Sequence, residues 1–210
     1  MAMTLRVVIP PHPLIGHWLS ILRMDSTPPP IYAIGLEQIG KWLTYEAIRE
    51  WIPFRKEELI TSRGKSEGIL VDSSVPIMAL PNIPGGLQLW QGARELLPNA
   101  TLCLGETPEK FQKKAGVLIY CDEITNAERI IKILNKLEDN GVTQAQTRVI
   151  TAVTSSQGLK NIGERFSDLT IYSACIDENM TEDNELIPGI GDPIERLNTR
   201  ITGPHYNIKG

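Results

Sequence analysis

From residue 68 onward, short apolar runs alternate with longer stretches in which apolar residues recur every three or four positions. Strands buried on both faces read as continuous apolar runs and covering helices as one-sided stripes, so this alternation predicts a parallel sheet flanked by helices. GILVD (68–72) or VPIMAL (75–80) opens the series, and TLCLGE, GVLIYCD, RVITAVT and LTIYSACID continue it. Between them the periodicity predicts helices through GGLQLWQGARELLP, NAERIIKILNKLEDNG and GLKNIGERFS. The second of these is the clearest. Ile130, Ile133, Leu134 and Leu137 share one face, and Gly141 can take the left-handed conformation that ends a helix.

Residues 1 to about 65 have a different pattern. TLRVVI reads as a strand and LIGHWLSILRM as a helix, and PPP at 28–30 forces an extended break. A long helix from about Ile31 to Trp51 carries Ile39, Trp42, Leu43, Ala47 and Trp51 as an apolar stripe, suited to a core or to a partner subunit. After Asp177 the chain becomes acidic, ENMTEDNE, and then reads LIPGIGDPIERL. A Gly/Pro-punctuated loop leaving a strand end is where α/β proteins place ligand contacts, and it is also what a plain surface turn looks like. The length suits a single domain, residues 1–210, with an amino-terminal helical arm region (1–65), a core (66–180) and a carboxy-terminal loop region (181–210).

Composition narrows the classes. The chain is 41% hydrophobic and 22% charged, with no apolar run near the ~20 residues that cross a bilayer. The amino terminus, MAMTLRVVIPPHP, has too short an apolar part for a secretory signal, so a cytoplasmic location is expected. A net charge of −4 and no Lys/Arg cluster argue against a nucleic-acid surface. Cys103, Cys121 and Cys175 lie apart in apolar runs and read as buried reduced thiols. His12 and His17 have no cysteine or acidic companion at metal-ligand spacing, so no protein metal site is expected. Trp18, Trp42 and Trp51 suit core or homodimer packing, or the anchoring of a protein partner.

YCDEITNAER (120–129) runs from strand to helix, the place where many α/β proteins hold a phosphate. A phosphate cradle needs small residues, hydroxyls and free N–H groups at the helix start. Thr125 and Asn126 are followed here by Ala127, Glu128 and Arg129. Glutamate in the first turn suits the helix dipole but competes with an anion for the same positive end. The stretch reads as a phosphate loop with its chemistry removed.

Four stretches together resemble the uracil phosphoribosyltransferase family over almost the whole chain: HPLIGHWLSILRMDST (12–27), LEQIGKWLTYEAIREW (36–51), TAVTSSQGLKNIGERFSDLTIYSACIDENM (151–180) and ELIPGIGDPIERL (185–197). The last is similar to the family's uracil-recognition loop. The resemblance implies a type I phosphoribosyltransferase fold, a mostly parallel sheet flanked by helices with a base-binding hood, usually in homodimers. It implies the reaction of uracil with phosphoribosyl diphosphate (PRPP) and magnesium to give UMP and diphosphate.

Carried over residue by residue, the resemblance assigns base binding to Ile187, Pro188, Gly189, Ile190 and Gly191, chiefly through backbone groups, and a catalytic acid near the ribose to Asp192. Arg196 resembles the family's closing arginine, whereas Glu185, Pro193 and Ile194 depart from its loop. The phosphate loop matches poorly. The family aspartate that grips the ribose hydroxyls aligns with Cys121, while Asp122 is one residue away and on the other face of a regular strand. The family's two loop glycines align with Ala127 and Glu128, and Arg129 stands where a small hydroxyl residue is expected. A carboxylate about 4 Å from a phosphate charge costs ~4 kcal/mol per charge pair at an effective dielectric of about 20. Ala79 aligns with a diphosphate-binding arginine, and LGETPEKFQKKAG is short for a closing lid. Lys110, Lys113 and Lys114 read as a solvated run rather than a replacement for the lost charge. Two functions are therefore expected: a family transferase with weak or lost activity, or a non-catalytic pyrimidine-nucleotide sensor or protein-interaction subunit on the same fold. Under the second, magnesium has no role and PRPP binding is doubtful.

Overall fold

The computed structural model describes residues 5–105 and 107–202, the last four by backbone only. Thr4, Glu106 and residues 203–210, which fall in the expected first strand, in TLCLGE and in the carboxy-terminal region, lie outside the described residues. The elements run β1 (Arg6–Val8), α1 (Pro13–Arg23), α2 (Pro29–Ile48), β2 (Phe54–Thr61), β3 (Gly64–Val71), β4 (Ile77–Pro81), α3 (Gly85–Ala93), β5 (Thr101–Leu102), β6 (Gly116–Ile124) and α4 (Glu128–Asp139). They continue with β7 (Thr147–Ser155), α5 (Ser156–Gly163), β8 (Thr170–Asp177), β9 (Asn179–Met180), β10 (Leu186–Ile187) and α6 (Pro193–Thr202).

Among the described residues, β1, β8, β7, β6, β4 and β5 form in that order one sheet with all pairs parallel. One face is covered by α1, α2 and α3, whose Leu22, Leu36, Ile39 and Leu89 pack with Leu118, Tyr120 and Ile150 of the strands. The other is covered by α4 and α5, with Ile130, Leu134, Leu137 and Ile162 against Val117, Ile119 and Val149. This is the α/β sandwich that the alternating pattern predicts.

Two differences from the pattern have physical causes. GILVD is not a core strand. It ends the antiparallel hairpin β2–β3, in which Phe54 pairs with Val71 and Thr61 with Gly64, and which is exposed on both faces. Its apolar residues sit beside charged ones, so no helix covers it, and VPIMAL supplies the sheet strand instead. The hairpin crosses residue 65, and β1 lies at the sheet edge beside β8. The long helix stops at Ile48, three residues short of Trp51, whose indole nitrogen donates to Ala145 O at 3.1 Å.

His12 caps α1, its Nδ1 accepting the Leu14 N–H at 3.1 Å, and its ring stacks on Trp42. Cys121 is buried, whereas Cys103 and Cys175 are half-buried rather than buried as expected; none of the three is in a disulfide. No helix among the described residues is long and apolar enough to cross a membrane.

Candidate functional site

In a parallel sheet, ligands gather at the carboxyl ends of the strands, where loops and helix starts meet. Here that edge is made by the ends of β6 and β8, the loop after β4, and the segment 186–196.

β6 departs from regular alternation at its end. Cys121 and Ile124 both belong to the layer under α4 and α5, although they are three residues apart. Asp122 turns to the other side, where a Cβ added to Gly85 of α3 would come within 2.5 Å of its carboxylate. Hydroxyls in the neighbouring strands mark the same level. Thr151 Oγ1 donates to Val153 O at 2.9 Å and Ser173 Oγ to Cys175 O at 2.7 Å. The slip leaves two consecutive carboxyls, Asp122 and Glu123, outside the apolar layer.

Both are perturbed. Burial raises the Asp122 pKa, opposed by its backbone N–H partners. Burial also pushes Glu123 up to about 7, helped by the negative charges of Asp122, Asp192, Glu185 and Asp177. Asn82, the first residue of the loop after β4, donates from Nδ2 to Asp122 Oδ1 at 3.3 Å. Sequence reasoning passed over Asn82 and Glu123; the signal for both was their place at strand ends, which a strict alternation hid. Cys121 cannot take the place of an acid. It is buried, its thiol points to Ile150 O, and burial raises its pKa further.

The turn from β6 into α4 is occupied by its own atoms. Asn126 Oδ1 accepts the Glu128 N–H at 3.2 Å, so this first helical amide is already bonded. Thr125 O accepts from Ser155 Oγ, and Asn126 O accepts from Asn161 Nδ2 at 3.0 Å. Ala127 holds the left-handed conformation at φ 66°, a backbone shape that favours glycine. Glu128 and Arg129 are exposed at the helix start. A cavity of about 190 Å³ opens here, lined among others by Asn82, Asp122, Glu123, Thr125 and Asn126.

Arg129 brings positive charge to this edge, but Ala79 and the lysines just before β6 do not. Ala79 is fully buried within β4. Lys113 and Lys114 precede β6 and so stand at the opposite end of the sheet from the carboxylates. The segment before β6 lies against the body, with Pro108 O bonded to Asn140 at 3.1 Å and Lys113 O to Gln146 at 3.0 Å.

The segment 186–196 is held firmly. After β10, Ile187 and Pro188 are joined by a cis peptide bond and Gly189 turns left-handed at φ 59°. A Cβ at Gly189 would meet Leu186 O at 2.5 Å. Asp177, at the end of β8, accepts the Gly189 N–H on Oδ2 at 2.9 Å and pairs through Oδ1 with Arg23 of α1 at 2.6 Å. Arg196 donates to Ile190 O at 3.3 Å and to Met24 O at 2.7 Å, and its guanidinium covers the Tyr32 ring at 4.5 Å. Asp192 is exposed and caps α6, its Oδ1 accepting the Ile194 N–H at 2.7 Å. Pro193 takes the first helical position, where a missing N–H costs nothing. Ile190 is buried in the layer under α2, while Ile187 and Gly191 are exposed. Asp192 and the glycine turn thus stand on the same edge as Asp122 and Glu123. Arg23 and Asp177 were missed because they lie 154 residues apart.

A sequence profile described as uracil phosphoribosyltransferase matches residues 8–198. A uracil phosphoribosyltransferase of Synechococcus elongatus is 33% identical, covering 94% of this chain and 98% of that protein. One from Nostoc is 32% identical, covering 94% and 99%. A chloroplastic uracil phosphoribosyltransferase of Arabidopsis thaliana is 30% identical over 90% of this chain and 70% of its own length. The solved structure of a protein from Aquifex aeolicus shares the fold, with a TM-score of 0.78, 24% identity, and coverage of 91% of this chain and 97% of that one.

Proposed function

Because the chain belongs to the uracil phosphoribosyltransferase family, we propose that it binds uracil and UMP under the 186–196 hood and that its transfer from PRPP is slow. The reaction would form a bond from a uracil ring nitrogen to the anomeric carbon of the ribose as the bond to diphosphate breaks, with the ring proton leaving to solvent. Such a step relies on holding charged groups in place and stabilising the leaving diphosphate. The observation that carries the reading is the contrast between the two ends of the site. Asp177 and Arg196 brace the glycine turn, whereas the amide at the start of α4 is bonded to Asn126 and belongs to Glu128, whose carboxylate is exposed.

Asp122 and Glu123 replace Cys121 as the sugar-facing acids in this reading. Asp192 acts through its charge and its cap on α6. Magnesium commonly binds through one or two carboxylates plus substrate phosphates, and Asp122 and Glu123 fit that donor set. The ion would neutralise charge on the diphosphate.

The test is calorimetric titration with uracil, UMP and PRPP separately, beside a UMP-formation assay with magnesium. Binding of uracil and UMP with weak PRPP binding and slow turnover supports the proposal. Turnover at an ordinary enzymatic rate restores the full transferase, and silence toward all three ligands favours a protein-interaction subunit.

A homodimer belongs to the same proposal. Phe54, Ile60, Ile69 and Val71 lie exposed on one face of the β2–β3 hairpin, interleaved with the Lys56–Glu67 and Lys65–Glu58 pairs. A face that mixes exposed apolar residues with charges of both signs can match a second copy of itself. Sedimentation of the wild type against a Phe54→Ser/Ile69→Ser variant checks this: a dimer that becomes a monomer supports it, and a wild-type monomer overturns it.

A further inference from the structure

Asn82 is held on every side but one. It is the first residue after β4, and both its backbone groups are used: the N–H donates to Tyr120 O at 2.7 Å and the carbonyl accepts the Leu87 N–H at 2.9 Å. The side chain turns to β6, where Nδ2 donates to Asp122 Oδ1 at 3.3 Å. Its own Oδ1 is buried and has no partner among the described residues. Turning the amide over would set one oxygen against another at Asp122, so the orientation is fixed.

A buried acceptor without a partner costs stability, and an apolar side chain of the same shape would avoid that cost. What Asn82 contributes therefore lies in its N–H, which reaches Asp122. The same carboxylate oxygen takes the Glu123 N–H at 2.9 Å. From the other side α3 stands so close that a Cβ at Gly85 would come within 2.5 Å of the carboxylate. Asp122 is thus gripped from β6, from the loop after β4 and from the start of α3, and a gripped carboxylate presents one edge rather than many.

Asn82, Asp122 and Glu123 line the same cavity of about 190 Å³, and among the described residues none of the segment 186–196 is on its wall. With the base under that segment, the part of a nucleotide left to meet Asp122 is the sugar. We propose that Asn82 is a positioning residue for the sugar, its N–H fixing the Asp122 carboxylate in the orientation that accepts a ribose hydroxyl of a uracil nucleotide. The proposal rests on the nucleotide-site reading above and deepens its sugar end.

The experiment is Asn82→Leu, which keeps the bulk and removes the N–H. Calorimetry compares UMP, 2′,3′-dideoxy-UMP, which lacks both sugar hydroxyls, and uracil. The wild type should prefer UMP to the dideoxy nucleotide. In the variant UMP affinity should fall roughly tenfold, while dideoxy-UMP and uracil bind as before, so that the preference shrinks. A loop loosened in general would weaken both nucleotides alike. Should leucine not fit the turn, Asn82→Ala carries the same expectation, and a chain that folds with neither makes Asn82 a structural bracket and overturns the proposal. Unchanged UMP affinity in the variant overturns this inference alone, as does a loss shared by dideoxy-UMP or by uracil, or a wild type that binds uracil yet shows no preference for the hydroxyls. A wild-type chain that binds neither uracil nor UMP overturns the functional reading and this inference with it.

Discussion

Arg23 and Asp177 meet at 2.6 Å, and the second oxygen of that carboxylate takes the Gly189 N–H at 2.9 Å. One side chain therefore joins the end of α1, the end of β8 and the glycine turn of the hood. Its carboxylate is nearly sealed, 4% exposed, against 27% for the arginine. Removing the carboxylate leaves the partly covered Arg23 guanidinium and the buried Gly189 N–H without their shared partner. Asp177→Ala is expected to destabilise the chain by about 3 kcal/mol in chemical denaturation and to abolish uracil binding. Asp177→Asn, which retains an acceptor for Gly189, is expected to keep more of that binding than Asp177→Ala.

Gly189→Ala tests the turn itself. The left-handed backbone at φ 59° and the 2.5 Å approach to Leu186 O leave no room for a Cβ. A non-glycine residue there costs about 1–2 kcal/mol in backbone energy alone, and the turn must shift as well. Titration should show uracil affinity reduced by about tenfold or more, with the UMP affinity falling alongside it.

The other end of the site should gain from substitution. Ala127→Gly relieves a left-handed alanine, worth about 1 kcal/mol of stability. Glu128→Gly removes a negative charge from the helix start, where an anion would sit. The double variant is expected to bind PRPP at least about tenfold more tightly than the wild type. An unchanged PRPP titration would show that Glu128 is not what keeps the anion away.

Glu123 gives the site a pH dependence. Its pKa rises from 4.5 to about 7 on folding, so the folded chain holds a proton that the unfolded chain has released. This contribution to stability is fully present below about pH 4.5 and is lost as pH rises through about 7. Glu123→Gln should flatten that part of the stability profile and raise stability at pH 8. In the absence of magnesium, PRPP binding should likewise be stronger at pH 6 than at pH 8 in the wild type, because protonation removes one negative charge, and nearly level between them in the variant.

Much of this architecture was legible because strands buried on both faces leave continuous apolar runs and covering helices leave stripes, as in GVLIYCD and NAERIIKILNKLEDNG. The hairpin was not, since GILVD has a core strand's apolar content and only the absence of a covering layer distinguishes it. In the site, local loop chemistry could be read from residues adjacent in the chain: the crowded start of α4 and the LIPGIGDP turn. What brings together distant residues could not. The one-residue slip at the end of β6 frees Glu123 to join Asp122, and no periodicity announces a slip. The Arg23–Asp177 pair depends on sheet order, which places the end of α1 beside the end of β8.

The β2–β3 hairpin is a unit whose stability is decoupled from the sandwich. A lone two-stranded ladder is marginal in water, and here Glu57, Leu59 and Gly68 are its half-buried members while the rest face solvent. In the isolated protomer, amide hydrogens along Phe54–Val71 will therefore trade for deuterium through openings of the ladder alone, long before those of Val117–Cys121 in the central strand. The molecule has two clocks, and only the slower one reports the fold that carries the site.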